Sequence, residues 1–396
     1  VLHRGVIRPN NVQKKGAIIA GVEAELVKHI RATGGLSRIE LAKVLTLSPS
    51  TIGVYVDRLL HEGYLVEGDR KVPCGAGRPR TTIALNPNAG QFVGVDFHAK
   101  EILAVSVDFA QNIVKQASRP VRRGERAAKV IQSVVDIVDE VVPSDRKLLL
   151  GIGIGSPGPV DLEHGTAVEY RYIRDFNDVP IVKPVMRRFN APVYIENTAN
   201  AMALAELWFG QGRDLNSFVS LWIRSGIGAG IIINRQLYSG LADGAGEIGA
   251  WRCPLYKAAP DGKLERRDET TLCDLQEIAS VRAICDTLPG RWSTDRLIRA
   301  YRKQDPAARE VVNAAAGSLA WAIAQLTFCL APERVVLAGP LADLGDDFAS
   351  FLATTTAACM APTRLHVPPV AMSTLGPFSG ALGAAALVVD RWKPAR

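Results

Sequence analysis

The sequence predicts an α/β protein in two unequal parts: a small helical amino-terminal unit carrying a β-hairpin, and a larger body of two related α/β lobes facing each other across a cleft. Three observations lead there. Positive charge is concentrated at the amino terminus, with 13 Lys and Arg against 7 Asp and Glu in residues 1–90, whereas the remaining 306 residues carry 34 and 33. Short helices with clear caps crowd the same region. After Gly90 the apolar periodicity turns strand-like, and one strand–turn–strand pattern occurs twice. With 396 residues, 47% hydrophobic and 22% charged, the chain is long enough for two or three domains and is neither disordered nor collagen-like.

The amino-terminal elements follow in order. Residues Glu23–Thr33 carry an apolar stripe before the Gly34-Gly35 stop. Ser37 with Glu40 three residues later forms a capping box that opens a second helix, which ends near Leu45. Ser48 then caps a third helix with Pro49 at its first position and Ile52, Val56, Leu59 and Leu60 at helical spacing, ending at Gly63. Two short helices joined by about four residues are the helix-turn-helix arrangement, whose second helix fits the DNA major groove. Its candidate DNA contacts are Ser48, Ser50, Thr51, Tyr55 and Arg58. Tyr64–Val66, Lys71-Val72 and Thr81–Leu85 predict a two-stranded wing. Arg78 and Arg80 at its Gly-Arg-Pro-Arg tip suit a narrow minor groove or the phosphates.

In the body, Phe92–Asp96, Ile102–Asp108 and Ile113–Gln116 predict three consecutive strands, followed by a helix over Ala127–Val142 and a buried strand over Leu148–Gly155. Phe218–Ile223, Gly228–Ile233 and Gln236-Leu237 repeat the opening pattern. Ala307–Ala331 is apolar nearly all round and predicts a buried helix or a subunit contact. The first sixteen residues lack the continuous apolar region of a secretion signal, and the most apolar runs are short and interrupted by glycine, so a cytoplasmic protein without membrane contact is expected. The six cysteines form no Cys-x-x-Cys pair and read as buried free thiols; His98, His164 and His366 read as surface or loop residues.

Five motifs occur in order: Gly153-Ile-Gly-Ser-Pro-Gly-Pro-Val-Asp161, Pro192-Val-Tyr-Ile-Glu-Asn-Thr-Ala-Asn200, Ser225-Gly-Ile-Gly-Ala-Gly230, Gly244-Ala-Gly-Glu-Ile-Gly249 and Val335-Val-Leu-Ala-Gly-Pro340. This series resembles the ROK family of bacterial sugar-responsive repressors and sugar kinases. The resemblance implies a two-lobed actin-like, hexokinase-like fold of the ribonuclease H-like type. With a winged helix-turn-helix in front, it resembles the repressor branch, which includes the xylose and N-acetylglucosamine repressors. The expected domains are 1–86 for the DNA-binding unit, 87–198 with 376–396 for the first lobe, and 199–375 for the second.

The kinase alternative can be weighed on two sites. Where the family's kinases carry a glycine-rich phosphate turn, this chain has Asp96-Phe-His-Ala-Lys100, whose bulky side chains fill the phosphate volume. Where the resemblance places a catalytic aspartate, Glu196-Asn197 is followed by Thr198, and a hydroxyl cannot replace a carboxylate as general base. The sugar side is better kept: the resemblance assigns Ser156, Gly158, Asn197, Thr198, Glu247 and Gln276 to the effector. Ala250 stands where many members carry a zinc-binding histidine, and the cysteine cluster is missing, so no metal or other cofactor is expected. The expected protein is a dimer, or a dimer of dimers, binding double-stranded operator DNA under control of a sugar or sugar derivative; the alternative is a sugar kinase with an appended DNA-binding domain.

Overall fold

The computed structural model describes residues 11–71, 80–98, 100–258, 264–267 and 271–394. Helix α1 (Asn11–Thr33) ends where Gly34 turns at φ +76°. Helix α2 (Arg38–Val44) has the reciprocal cap read from the sequence: Ser37 accepts from the Glu40 amide, and the Glu40 carboxylate accepts from the Ser37 amide at 2.8 Å. Helix α3 (Pro49–His61) is capped by Ser48. Strands β1 (Leu65–Lys71) and β2 (Arg80–Leu85) pair antiparallel, with Leu65 opposite Leu85. The fully buried Leu26, Leu41, Ile52, Val56, Leu59 and Ile83 hold the three helices on the hairpin. Their spacing puts one apolar stripe of each helix on the same core.

The first lobe begins with β3 (Gln91–Phe97), β4 (Glu101–Asp108) and β5 (Ile113–Pro120), an antiparallel meander. Helix α4 (Ala127–Val141) returns the chain to β6 (Leu149–Ser156), which lies parallel to β3. An excursion of short strands β7 (Val160–Asp161), β8 (Thr166–Glu169) and β9 (Asn177–Pro180) precedes α5 (Val182–Phe189) and β10 (Val193–Asn197), parallel to β6. The sheet order is β10-β6-β3-β4-β5.

Helix α6 (Thr198–Phe209) leads to the second lobe. There β11 (Phe218–Ile223), β12 (Ile227–Ile233) and β13 (Gln236–Leu237) again form an antiparallel meander. Short strands β14 (Arg252–Pro254), β15 (Tyr256–Ala258), β16 (Leu264–Arg266) and β17 (Leu272–Asp274) come next. Helices α7 (Leu275–Ala279), α8 (Val281–Thr287), α9 (Thr294–Arg302) and α10 (Pro306–Leu330) follow. Strand β18 (Val335–Ala338) runs parallel to β11, and α11 (Asp346–Met360) leads to β19 (Val370–Met372), parallel to β18. The order β13-β12-β11-β18-β19 reproduces the first sheet strand for strand and direction for direction. The recurrent pattern in the sequence is thus a duplicated lobe.

Each lobe's last strand runs into a helix that packs on the other lobe's sheet. Helix α6 leaves β10 and covers β12; α12 (Ser379–Arg391) follows β19 and covers β3 and β6. A Cβ at Gly230 would overlap Ala203 and the Ala199 carbonyl on α6, and one at Gly153 would overlap the Ala384 carbonyl on α12. Small residues are required because the helix backbones lie directly on the strands. Helix α10 meets the length and composition of a membrane span, but it is buried mainly within the second lobe's core through Val312, Leu319, Ile323 and Leu326. Substituting Gly153→Ala would force α12 off the sheet and lower unfolding stability by about 1–3 kcal/mol, measurable by chemical denaturation.

Candidate functional site

On α3 the predicted DNA contacts separate into two groups. The Ser48 hydroxyl accepts from the Thr51 amide at 3.1 Å and bonds the hydroxyls of Ser50 and Thr51 at 2.9 and 2.7 Å. Ser48 is therefore the cap, while Ser50 is exposed and Thr51 half-buried beside it. Tyr55 packs on the apolar core. Arg58 donates to Glu62 at 2.8 Å and faces the buried Glu23 at 3.4 Å while its side chain stays exposed. Between these positions Val54 is 68% exposed, a residue the sequence reading missed although it lies off the Ile52–Val56–Leu59 stripe. Arg38 ties the unit together, reaching Asp57 at 2.8 Å and Glu67 at 3.3 Å. Arg80 opens β2; Arg78 and Cys74 lie outside the described residues.

In the cleft, parallel β3, β6 and β10 end side by side at Asp96, Ser156 and Asn197, with Asn197 in register with Ser156. Open α/β sheets bind ligands at such carboxyl ends. Asn197 caps α6: its side-chain oxygen accepts from the Ala199 amide, and its NH2 donates to the Gly158 carbonyl, both at 2.8 Å. Ser156, Gly158, Asn197 and Thr198 are thus brought together at one edge. The Thr198 hydroxyl donates to buried Asp96 at 3.1 Å. Burial pushes the Asp96 carboxyl up to about 6, partly offset by Arg224 and the Thr198 hydroxyl. Glu196, also buried, accepts from the Asn197 amide and from Asn200.

Glu247 and Gln276 stand on the second lobe. Glu247 begins the turn Ile248–Ala250, and the protein around its carboxyl raises its pKa. The Gln276 side-chain oxygen lies against Gly226, in the turn before β12, and Gly249, in the turn Ile248–Ala250. Among the described residues no hydrogen bond joins this pair to the first-lobe edge. Arg252 and Asp274 pair at 3.0 Å across β14 and β17, with Cys253 opposite Cys273. The described residues contain no group of three or more His, Cys, Asp or Glu placed to hold a metal ion.

His98 stands in the turn after β3, as its reading as a loop residue expects, but it is not at the surface. His98 is buried; its Nδ1 accepts from the Lys100 amide at 3.2 Å, and Nε2 lies 3.2 Å from Glu101. Burial, reinforced by Arg224 and Lys100, lowers its pKa to about 3, so the ring is neutral and the Glu101 contact is a hydrogen bond. His164 bonds Asp161 at the surface, and His366 is exposed. Beyond His98 the cleft widens into a cavity of about 820 Å³ between the lobes. None of the six predicted effector residues lines it.

The ROK family pattern matches residues 92–391. The chain belongs to the ROK family. It is similar to the xylose repressor of Caldicellulosiruptor bescii, 28% identical over 337 residues that cover 79% of this chain and 81% of that one. It is also 28% identical to the glucokinase of Thermotoga maritima over 320 residues, 76% of this chain and 98% of the enzyme. A solved ROK family transcriptional regulator, a homologue of the Escherichia coli MLC protein, has the same fold at a TM-score of 0.73 and 21% identity; the likeness covers 94% of this chain and 96% of that one. Covering that much, it necessarily extends into the first 90 residues.

The shifts of Asp96 and His98 predict opposite pH effects. Because the folded Asp96 pKa lies above its unfolded value, stability falls as pH rises from about 4 to 6; Asp96→Asn removes that loss. The depressed His98 pKa works the other way, costing stability as pH falls below about 6.5, and His98→Gln removes the acid sensitivity. Denaturation midpoints of the two variants between pH 4 and 7 measure both slopes.

Proposed function

We propose that this ROK protein is a DNA-binding transcriptional repressor whose operator affinity is controlled by a sugar or sugar derivative held between Ser156, Gly158, Asn197 and Thr198 on one lobe and Glu247 and Gln276 on the other. The observation that carries this reading is the way the basic amino-terminal unit is built onto the body. Helix α12 starts beside Asp96, where a Cβ on Gly380 would come within 2.5 Å of the carboxylate. It ends at the DNA-binding unit: Asp390 pairs with Lys28 of α1 at 3.5 Å. Beyond it, Trp392 stacks edge-on against Tyr64 and Phe109 at 5.0 and 4.8 Å. Arg31 of α1 is buried over the rings of Phe109 and Phe92 at 5.0 and 5.7 Å. A helix of 13 residues spans about 20 Å. One rigid strut therefore links the cleft edge to α1 and the wing, and a ligand that prefers one lobe arrangement changes the presentation of α3.

The cleft chemistry supports a binding role over phosphoryl transfer. The hydroxyl of Thr198, at the base position, is spent on Asp96, and the His98 ring occupies the phosphate turn. Two copies of α3 would read half-sites about 34 Å apart, so the operator is a palindrome and the protein at least a dimer.

Mobility shifts with DNA from upstream of the protein's own gene, run with and without a panel of monosaccharides, test the reading. One compound should release the protein; ATP-dependent turnover of a sugar with no specific DNA binding would refute it. Glu247→Ala should keep operator affinity and lose release. Trp392→Ala should bind the sugar normally while its operator affinity no longer responds. Replacing Arg78 and Arg80 together by Ala should reduce the slope of log affinity against log salt by about 1.8, from the loss of two phosphate contacts.

A further inference from the structure

The cavity of about 820 Å³ is open to solvent on one side, bordered by both lobes and bridged by contacts that cross between them. On one side Arg282 of the second lobe donates to the Tyr172 hydroxyl of the first at 2.9 Å, where Arg171 also donates. On the other, Arg224 of the second lobe stands 3.7 Å from Glu101 of the first. Between these ties the walls carry four aromatic residues, Tyr170, Tyr172, Trp222 and Trp292. The volume falls in the upper part of the range for small-molecule sites, about 300–1,000 Å³.

The charges decide what fits. Lys100, Arg224 and Arg282 line the cavity against Glu101, Asp286, Asp295 and Asp343, while His98 is neutral. Arg224 is directed at Glu101, and Arg282 at Tyr172 and Glu277, so two of the three cations are already engaged. Asp295 and Asp343 form no ion pair among the described residues. A polyphosphate would meet this acidic surplus without enough free positive charge to balance it. An uncharged polyol with a flat ring face suits it: carboxylates accept from neighbouring hydroxyl pairs, and aromatic rings cover the apolar C–H face.

We propose that this cavity is a second ligand site, distinct from the one assigned to the effector, and that it takes an uncharged saccharide longer than one ring. Ligand here touches both interlobe ties and, through Ser379, the first residue of α12, so its occupancy biases the same lobe arrangement that the effector reads. The site goes beyond the repressor reading and does not require it.

Titrating the full chain with cellobiose, maltose and xylobiose tests the proposal, using calorimetry and tryptophan fluorescence at a saturating concentration of the releasing monosaccharide. Glucose and xylose at high concentration serve if no releasing sugar has been found. One of the disaccharides should bind with one site per chain and change the fluorescence of Trp222 or Trp292. Trp292→Ala should weaken it roughly tenfold, Asp343→Asn should weaken it without touching the aromatic wall, and Glu247→Ala, compared with the unsubstituted chain in the absence of monosaccharide, should bind it with the same affinity. Three results overturn the proposal: competition between monosaccharide and disaccharide for one site, equal loss in Glu247→Ala and Trp292→Ala, or binding of ATP or adenosine but of none of the disaccharides. Failure of operator release with intact disaccharide binding would instead refute the repressor reading alone.

Discussion

The crossed packing of α6 and α12 is the constraint on which the rest of the molecule depends. Each helix follows the last strand of one sheet and lies on the other sheet, and the two pack against each other with Gly383 on the backbone of Ala201. Such contacts leave no room for Cβ atoms, which explains the alanine and glycine content of both helices. The seam fixes the position of the strand ends: α6 begins at Asn197 and Thr198, and α12 begins at Asp96. A cleft placed on two interlocked helices can change only by moving them as units, since packed interiors shift between discrete arrangements and do not deform smoothly.

Electrostatics in the cleft follow from the same packing. Asp96, Glu196 and His98 are buried at the strand ends, and each has a hydrogen-bonding partner: Asp96 the Thr198 hydroxyl at the start of α6, Glu196 the Asn197 amide and Asn200, and His98 the Lys100 amide and Glu101. Thr198 satisfies Asp96 instead of facing solvent, and Asn197 spends both ends of its amide on Ala199 and Gly158. The first-lobe edge is consequently a pre-organised surface, whereas Glu247 and the acidic groups around the larger cavity remain accessible. The amino-terminal unit extends this logic, with the charge of Arg58 used to join α3 to α1 and the side chain of Val54 left outward.

Much of this was legible in the residues. The capping box, the glycine stops and the strand alternation placed α2, α3 and the first meander within a few positions, because these signals are local, whereas α1 starts at Asn11, twelve residues before the expected Glu23. The repeat was readable only as a faint echo in the sequence, since topology survives where side chains diverge. The surroundings of Arg58 and His98 were not legible: Arg58 stands 3.4 Å from Glu23, 35 residues away, and the charge of Arg224 on the facing lobe adds to the burial that keeps His98 neutral. The large cavity had no signal at all, because its aromatic walls come from segments as distant as Tyr170 and Trp292.

By itself the sequence determined the order of elements, the basic character of the amino-terminal unit and the ROK motifs, all of which rest on near neighbours in the chain. Only the tertiary structure decided which polar groups are free. Hydrogen-bond partners and burial are set by elements that meet in space, so Thr198 became a partner of Asp96, and the space between the lobes a cavity with its own chemistry.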